Sequence, residues 1–227
     1  MKRWKITEIL ASAGTGEKLK AEGWVRSVRG SQNVRFIDLT DGSCLAGLQI
    51  VAEEASTSGF ETLQHVHTGS SLEAEGVLVE SPGKGQRLEM KAEKITLLGE
   101  SDPDTYPIQK KKHTMEFLRQ KAHLRVRTNT FASVFRLRSH LSHGIHDFFR
   151  NKGFFYIHAP IITTSDCEGA GEMFRVSAQP CENGKEFFGR PAYLTVSGQL
   201  EAELMAMGLK EVYTFGPTFR AENSNTP

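Results

Sequence analysis

Two neighbouring stretches constrain this chain more than any other part of it. Leu194-Thr195-Val196-Ser197-Gly198-Gln199-Leu200 reads as a strand running into a helix. Tyr213-Thr214-Phe215-Gly216-Pro217-Thr218-Phe219-Arg220-Ala221-Glu222-Asn223 reads as a strand broken at Gly216-Pro217 and resumed at Thr218. Strand side chains alternate between faces, so Arg220 and Glu222 fall on one face and Phe219 and Ala221 on the other. An arginine fork can hold phosphate oxygens, and a carboxylate two residues away can accept from amines or hydroxyls. The plain alternative is a cross-face salt bridge on an exposed strand, which is common and worth little.

Residues 1 to about 100 read as β-rich. Lys18 to Val28 alternates, Val34 to Leu39 follows the Gly30-Ser31 turn, and Leu45 to Val51 follows Asp41-Gly42-Ser43. Ser58 to His67 can form a short helix. Ser71 to Glu80 sets Leu72, Ala74, Gly76 and Leu78 against polar neighbours, and Arg87 to Leu98 is a fifth strand. Five short strands with a helix between the third and fourth match the order of an OB-fold barrel, which often binds single-stranded nucleic acid on one face. Taken singly, Phe36 is as well explained by a core position, and Gln49 and Glu89 by solvated strand positions.

Pro103 and Pro107 interrupt regular structure after residue 100, and a short helix is expected near Thr114 to Lys121. Between Ser101 and His140 nine lysines or arginines stand against Asp102, Asp104 and Glu116, a net +6 in a chain whose total is +1. A basic centre in a near-neutral chain suits a polyanion contact, and a solvated charge run explains it equally well. Residues 128–150 read as a strong helix, capped by Thr128 or Asn129 and stopped at Gly153, with apolar residues recurring at three and four. His140, His143 and His146 are assigned to its solvated face, because no carboxylates accompany them as metal partners. "GFFYIHAPIITTSD" runs as a strand into Pro160, and "CEGAGEMFRV" reads as a surface loop.

Cys44, Cys167 and Cys181 show no metal or disulfide spacing and suit a reducing compartment. No apolar run approaches the ~18 residues of a membrane span. Met1-Lys2-Arg3-Trp4-Lys5 leads directly into patterned sequence without a signal segment, so a cytoplasmic location is expected.

Phe-Arg-x-Glu after a Gly-Pro break resembles motif 2 of the class II aminoacyl-tRNA synthetases. The longer string "LTVSGQL…FGPTFRAENSNT" resembles the asparaginyl members of their aspartyl/asparaginyl/lysyl subgroup. The resemblance implies an all-β OB-fold barrel (1–100) that binds the tRNA anticodon and a hinge (101–127) near the tRNA. It further implies an α+β segment (128–227) forming the first part of the antiparallel-sheet catalytic domain. In the barrel, Phe36 of "RFIDLTDG" would stack on the middle anticodon base. Gln49 of "LQIV", after a turn two residues longer than the aspartyl pattern, and Glu89 of "RLEMKAEKI" would help read it. Arg26 and Arg29 match the basic first strand. Helix, glycine, aromatic strand and Pro160 resemble motif 1, which builds the homodimer interface.

The implied reaction joins the asparagine carboxylate to the α-phosphate of ATP, then passes the acyl group to a tRNA hydroxyl. It requires positioning and charge stabilisation rather than a side-chain nucleophile. Arg220 would hold the α-phosphate and Glu222 the nucleotide or the tRNA end. Glu168 would bind the substrate ammonium, and Gln199 would orient the amino acid. Aspartyl enzymes carry a lysine where Ala202 stands here. Its loss disfavours a carboxylate substrate, and Glu203 could accept from the amide.

Motif 3, the second strand of motif 2 and the acidic ligands for Mg²⁺ have no counterpart in the sequence. A complete catalytic domain of this type needs roughly another 100–200 residues. The 227-residue polypeptide is therefore expected not to form adenylate at a normal rate, with poor solubility from its open sheet edge; a clean ATP–pyrophosphate exchange signal from the purified chain would overturn this. Two other readings stay open. One is a non-discriminating aspartyl-type ligase, which Ala202 disfavours. The other is a tRNA-binding module without catalysis.

Overall fold

Short strands with buried apolar residues build the first part of the molecule, and the computed structural model describes residues 4–83, 85–166, 173–178 and 186–222. The chain divides into two units, 1–137 and 138–227. In the first, strands β1 (Lys18–Gly30), β2 (Val34–Thr40), β3 (Leu48–Glu53), β4 (Ser71–Glu80) and β5 (Leu88–Gly99) close into a barrel of order β1-β2-β3-β5-β4. All pairings are antiparallel except β3 with β5. Closure leaves this barrel no open edge. Every second residue of β4, from Leu72 to Leu78, is buried. Ile37, Leu39, Leu48, Ile50 and Met90 fill the interior with them. Gly76 lies where the β4–β5 register shifts, and a Cβ there would strike the Lys91 carbonyl, so the crossing depends on a bare backbone.

Three local differences from the sequence expectation have physical causes. The third strand begins at Leu48 rather than Leu45, because residues 42–46 form bends and Leu45 is exposed. The helix between β3 and β4 is a short 3-10 turn, Phe60–His65. A helix that the alternation gave no hint of, α1 (Ile6–Ser12), buries Ile6 and Ile9 against the barrel core. Seven residues are too few to show a period of 3.6.

The turn after β2 holds α1 in place. Asp41 accepts from the Ile6 amide (2.9 Å) and from the amide and hydroxyl of Ser43 (2.9 and 2.6 Å). Partial burial works to raise the Asp41 carboxyl, but these hydrogen bonds outweigh it and hold its pKa below the usual value. Its stabilising contribution is therefore complete above the ordinary carboxylate range and is lost as pH falls through the lowered folded value. Stability measured by denaturant titration should fall off below about pH 4, and Asp41→Asn should flatten that part of the profile.

Thr114 caps α2 (Met115–Gln120) by accepting from the Phe117 amide at 3.2 Å. The Thr128 hydroxyl does the same for the Phe131 amide (3.4 Å) at the start of α3 (Asn129–Asn151). The division between the units falls inside α3. On the first-unit side, Arg136 donates to the carbonyls of Ser43 (3.3 Å) and Gly42 in the turn after β2. Gly153, at φ +86°, ends the helical region, and the Phe154 amide reaches back to the Phe149 carbonyl (3.1 Å).

The second unit contains β6 (Phe155–Ile157), β7 (Ile162–Thr163), β8 (Arg175–Val176), β9 (Ala192–Leu194), α4 (Gln199–Leu209) and β10 (Val212–Thr214). β6 pairs in parallel with β10, and β9 lies between β7 and β8 in an antiparallel sheet. Aromatic side chains join α3 to these strands. Phe149 stacks on Tyr213 at 4.4 Å between centroids, and His146 meets the Tyr213 hydroxyl at 2.7 Å. His146 also packs edge-on against Tyr156 and Phe215. It is thus part of the helix–strand packing and not of the solvated face; the i, i+3, i+6 spacing covers an arc of about 120°, and His146 stands at the edge of that arc where the helix meets the strands, while His140 and His143 stay exposed.

Candidate functional site

On β2, Ile37 and Leu39 point into the barrel, which turns Phe36 and Asp38 outward. The register sets Arg29 of β1 opposite Phe36, and Gln49 of β3 between Asp38 and Glu89. The Arg29 Nη2 donates to Gln49 Oε1 (2.7 Å), and Gln49 Nε2 donates to Glu89 Oε2 (2.8 Å). Arginine can only donate and a carboxylate can only accept, so the Gln49 amide has one orientation. The Arg29 guanidinium carbon lies 5.7 Å from the Phe36 ring centre. Glu89 is 5% exposed, and Ser81 Oγ (3.0 Å) and Gln86 Nε2 (3.4 Å) donate to the same oxygen that Gln49 uses. A groove of about 510 Å³ opens here, lined among others by Arg29, Phe36, Asp38, Gln49, Gln86 and Lys110. Arg26 is directed elsewhere: its Nη2 donates to Asn129 Oδ1 at 2.9 Å.

Sequence reasoning did not single out Ser81 or Gln86. Their loop carries only the Pro-Gly mark of a turn, and nothing in its composition points to a carboxylate on the next strand.

In the second unit, Gln199 opens α4, and its amide donates to the Ser197 hydroxyl (3.1 Å). One turn later its side-chain Nε2 donates to Glu203 Oε1 at 2.8 Å. Ala202 is half-buried and Glu203 exposed. Residues 218–222 do not resume a strand, contrary to expectation. Pro217 offers no amide proton, and the described backbone bond of this segment runs from the Phe219 amide to the Thr195 carbonyl (2.9 Å). Alternation survives without a ladder: Phe219 and Ala221 are half-buried, and Arg220 and Glu222 are exposed. Beneath, Tyr156, Ala159, Thr195, Gly198 and Pro217 line a cavity of about 40 Å³. Pro160 is exposed. Glu168 lies outside the described residues.

Among the described residues, no group of three or more His, Cys, Asp or Glu is placed to hold a metal ion. No helix among them is long and apolar enough to cross a membrane.

Two family models match successive parts of the chain. The OB-fold nucleic acid binding domain matches residues 19–98. An asparagine–tRNA ligase from Syntrophobacter fumaroxidans is 54% identical over 93% of this chain and 48% of its own length. One from Parabacteroides distasonis is 52% identical over 100% of this chain and 51% of its own. The chain thus spans about half the length of the curated relatives it matches. Among solved structures, asparaginyl-tRNA synthetase from Pyrococcus horikoshii, complexed with asparaginyl-adenylate, superposes with a TM-score of 0.85 at 23% identity, covering 100% of this chain and 50% of that one. The enzyme from Entamoeba histolytica gives 0.81 at 25% identity, covering 99% and 49%. The sequence model of the tRNA synthetases class II (D, K and N) matches residues 114–227, half of the chain, and the chain belongs to that family.

Proposed function

We propose that these residues form the tRNA-reading barrel and the first part of the catalytic region of an asparagine–tRNA ligase. The observation that carries this reading is the Arg29–Gln49–Glu89 relay beside Phe36. With the amide fixed, the groove offers a row of donor, acceptor and donor: a guanidinium N–H, Gln49 Oε1 and the second Gln49 N–H. Uracil presents the complementary acceptor, donor and acceptor along its pairing edge. Cytosine, with adjacent acceptors, leaves Gln49 Oε1 facing a lone pair. Phe36 supplies the stacking platform, worth about 1–3 kcal/mol per base. Arg26 and the basic 101–127 hinge would add contacts to the phosphate backbone.

For the amino acid, Ala202 in place of a lysine favours a neutral side chain, and Gln199 held by Glu203 is a ready orienting group. Glu168 would complete the pocket at the ammonium. Arg220, exposed on the segment beside Thr195, would carry the α-phosphate of ATP, with Glu222 two residues on. Mg²⁺ accompanies ATP chemistry of this kind, and the described residues hold no group of three or more His, Cys, Asp or Glu side chains for it. The enzyme would act in the cytoplasm as a homodimer through the α3–β6 element ending at Pro160.

Filter binding of the 227-residue protein to an asparagine tRNA transcript tests this reading. Changing the middle anticodon uracil to cytosine should weaken binding by about 10-fold or more, one lost base contact of ~1–3 kcal/mol. Equal binding of the two transcripts would overturn it.

A further inference from the structure

Beside Gln49 the groove holds a second carboxylate with no task in the relay. Asp38 follows Phe36 by two residues on β2, so it shares the Phe36 face about 7 Å along the strand. The register sets it between Ser27 and Gln49. It lines the groove, and its side chain meets no hydrogen-bond donor or cation among the described residues. Glu89, on the other flank of Gln49, contrasts with it, since three donors converge on one of its oxygens. One Asp38 oxygen packs against Gly47, where a methyl group would collide with it, so a side chain added there would displace the carboxylate.

An ionised carboxylate only accepts hydrogen bonds, so an open one in a base-binding groove selects for donors. Guanine alone among the four bases carries two adjacent donors, N1–H and the 2-amino group, on its pairing edge. Uracil's carbonyls would face the carboxylate oxygens unfavourably, and adenine and cytosine offer a single amino group beside an acceptor. We infer that Asp38 is a specificity-determining residue that accepts both donors of a guanine adjoining the base stacked on Phe36. The inference rests on the groove being an RNA-base site, as proposed above.

The test uses hairpin RNAs whose loops carry a uracil flanked by guanine, by inosine or by adenine, on its 5′ side in one set and its 3′ side in another. Affinities are measured by fluorescence anisotropy at fixed salt with the 227-residue protein. On one side, the wild-type protein should prefer guanine to adenine by about 10-fold or more, with inosine, which lacks the 2-amino group, between them. Asp38→Asn should reduce that preference to less than about threefold, chiefly by weakening the guanine loop. Gly47→Ala keeps the charge but displaces the carboxylate, and should reduce the preference as well. Persistence of the guanine preference in both variants, or its absence from the wild type, overturns the role of Asp38. Failure of the function itself looks different: the wild type then binds no loop, or Phe36→Ala binds every loop as well as the wild type does, and the inference falls with it.

Discussion

Ile37→Ala should cost the barrel about 2–5 kcal/mol, the range for emptying a fully buried aliphatic site. Ile37 is 0% exposed and faces inward from the strand that turns Phe36 and Asp38 outward. It is surrounded by interior residues of the other barrel strands, which a closed sheet cannot move inward without breaking its own pairing. Urea unfolding followed by the fluorescence of Trp24, on β1, would report it, with a lower midpoint and an unchanged slope. A midpoint within experimental error of the wild type would mean that the barrel interior tolerates a void of this size. Affinity for RNA should change little under conditions where the variant remains folded, because no groove atom is removed.

Phe36→Ala should do the reverse. The ring is half-buried and lies on the groove side, beside the Arg29 guanidinium. Its removal takes little from the core and all of the stacking surface. A loss of ~1–3 kcal/mol corresponds to about 5–150-fold weaker tRNA binding. The unfolding midpoint should move by much less than it does for Ile37→Ala. The salt slope should be nearly unchanged, since no phosphate contact is removed. An unaltered tRNA affinity would exclude Phe36 as a stacking platform. The two neighbours thus separate stability from recognition on a single strand.

The barrel was legible because a period of two is plain from Leu72 to Leu78 and at the start of β1, and because turn residues mark off the other strands. What escaped the sequence was set by contacts distant along the chain. α1 exists because Asp41, 35 residues away, caps Ile6 and because the barrel buries Ile6 and Ile9. His146 is held by Tyr213, 67 positions on, and no local pattern announces that. Thr218 to Glu222 kept their alternation but not their strand, since pairing needs a partner that Pro217 helps to deny. Phe36, Gln49 and Glu89 were ambiguous as single residues; resemblance singled them out. The register then adds why they can act together: it pairs Gln49 with Glu89 and Arg29 with Phe36, and the Arg29 side chain reaches diagonally to the Gln49 amide.

The guanidinium of Arg136 bears on where the gene could be cut. A barrel expressed only to residue 127 would keep all five strands and would still lose the donor that two consecutive carbonyls, those of Gly42 and Ser43, rely on. It would also lose Asn129, the partner of Arg26. The same turn carries Asp41, which anchors α1, so the damage would extend to the N-terminal helix. The smallest faithful copy of the barrel therefore includes the opening turns of the following helix, through residue 137. Swapping the barrel between relatives calls for those turns to travel with it.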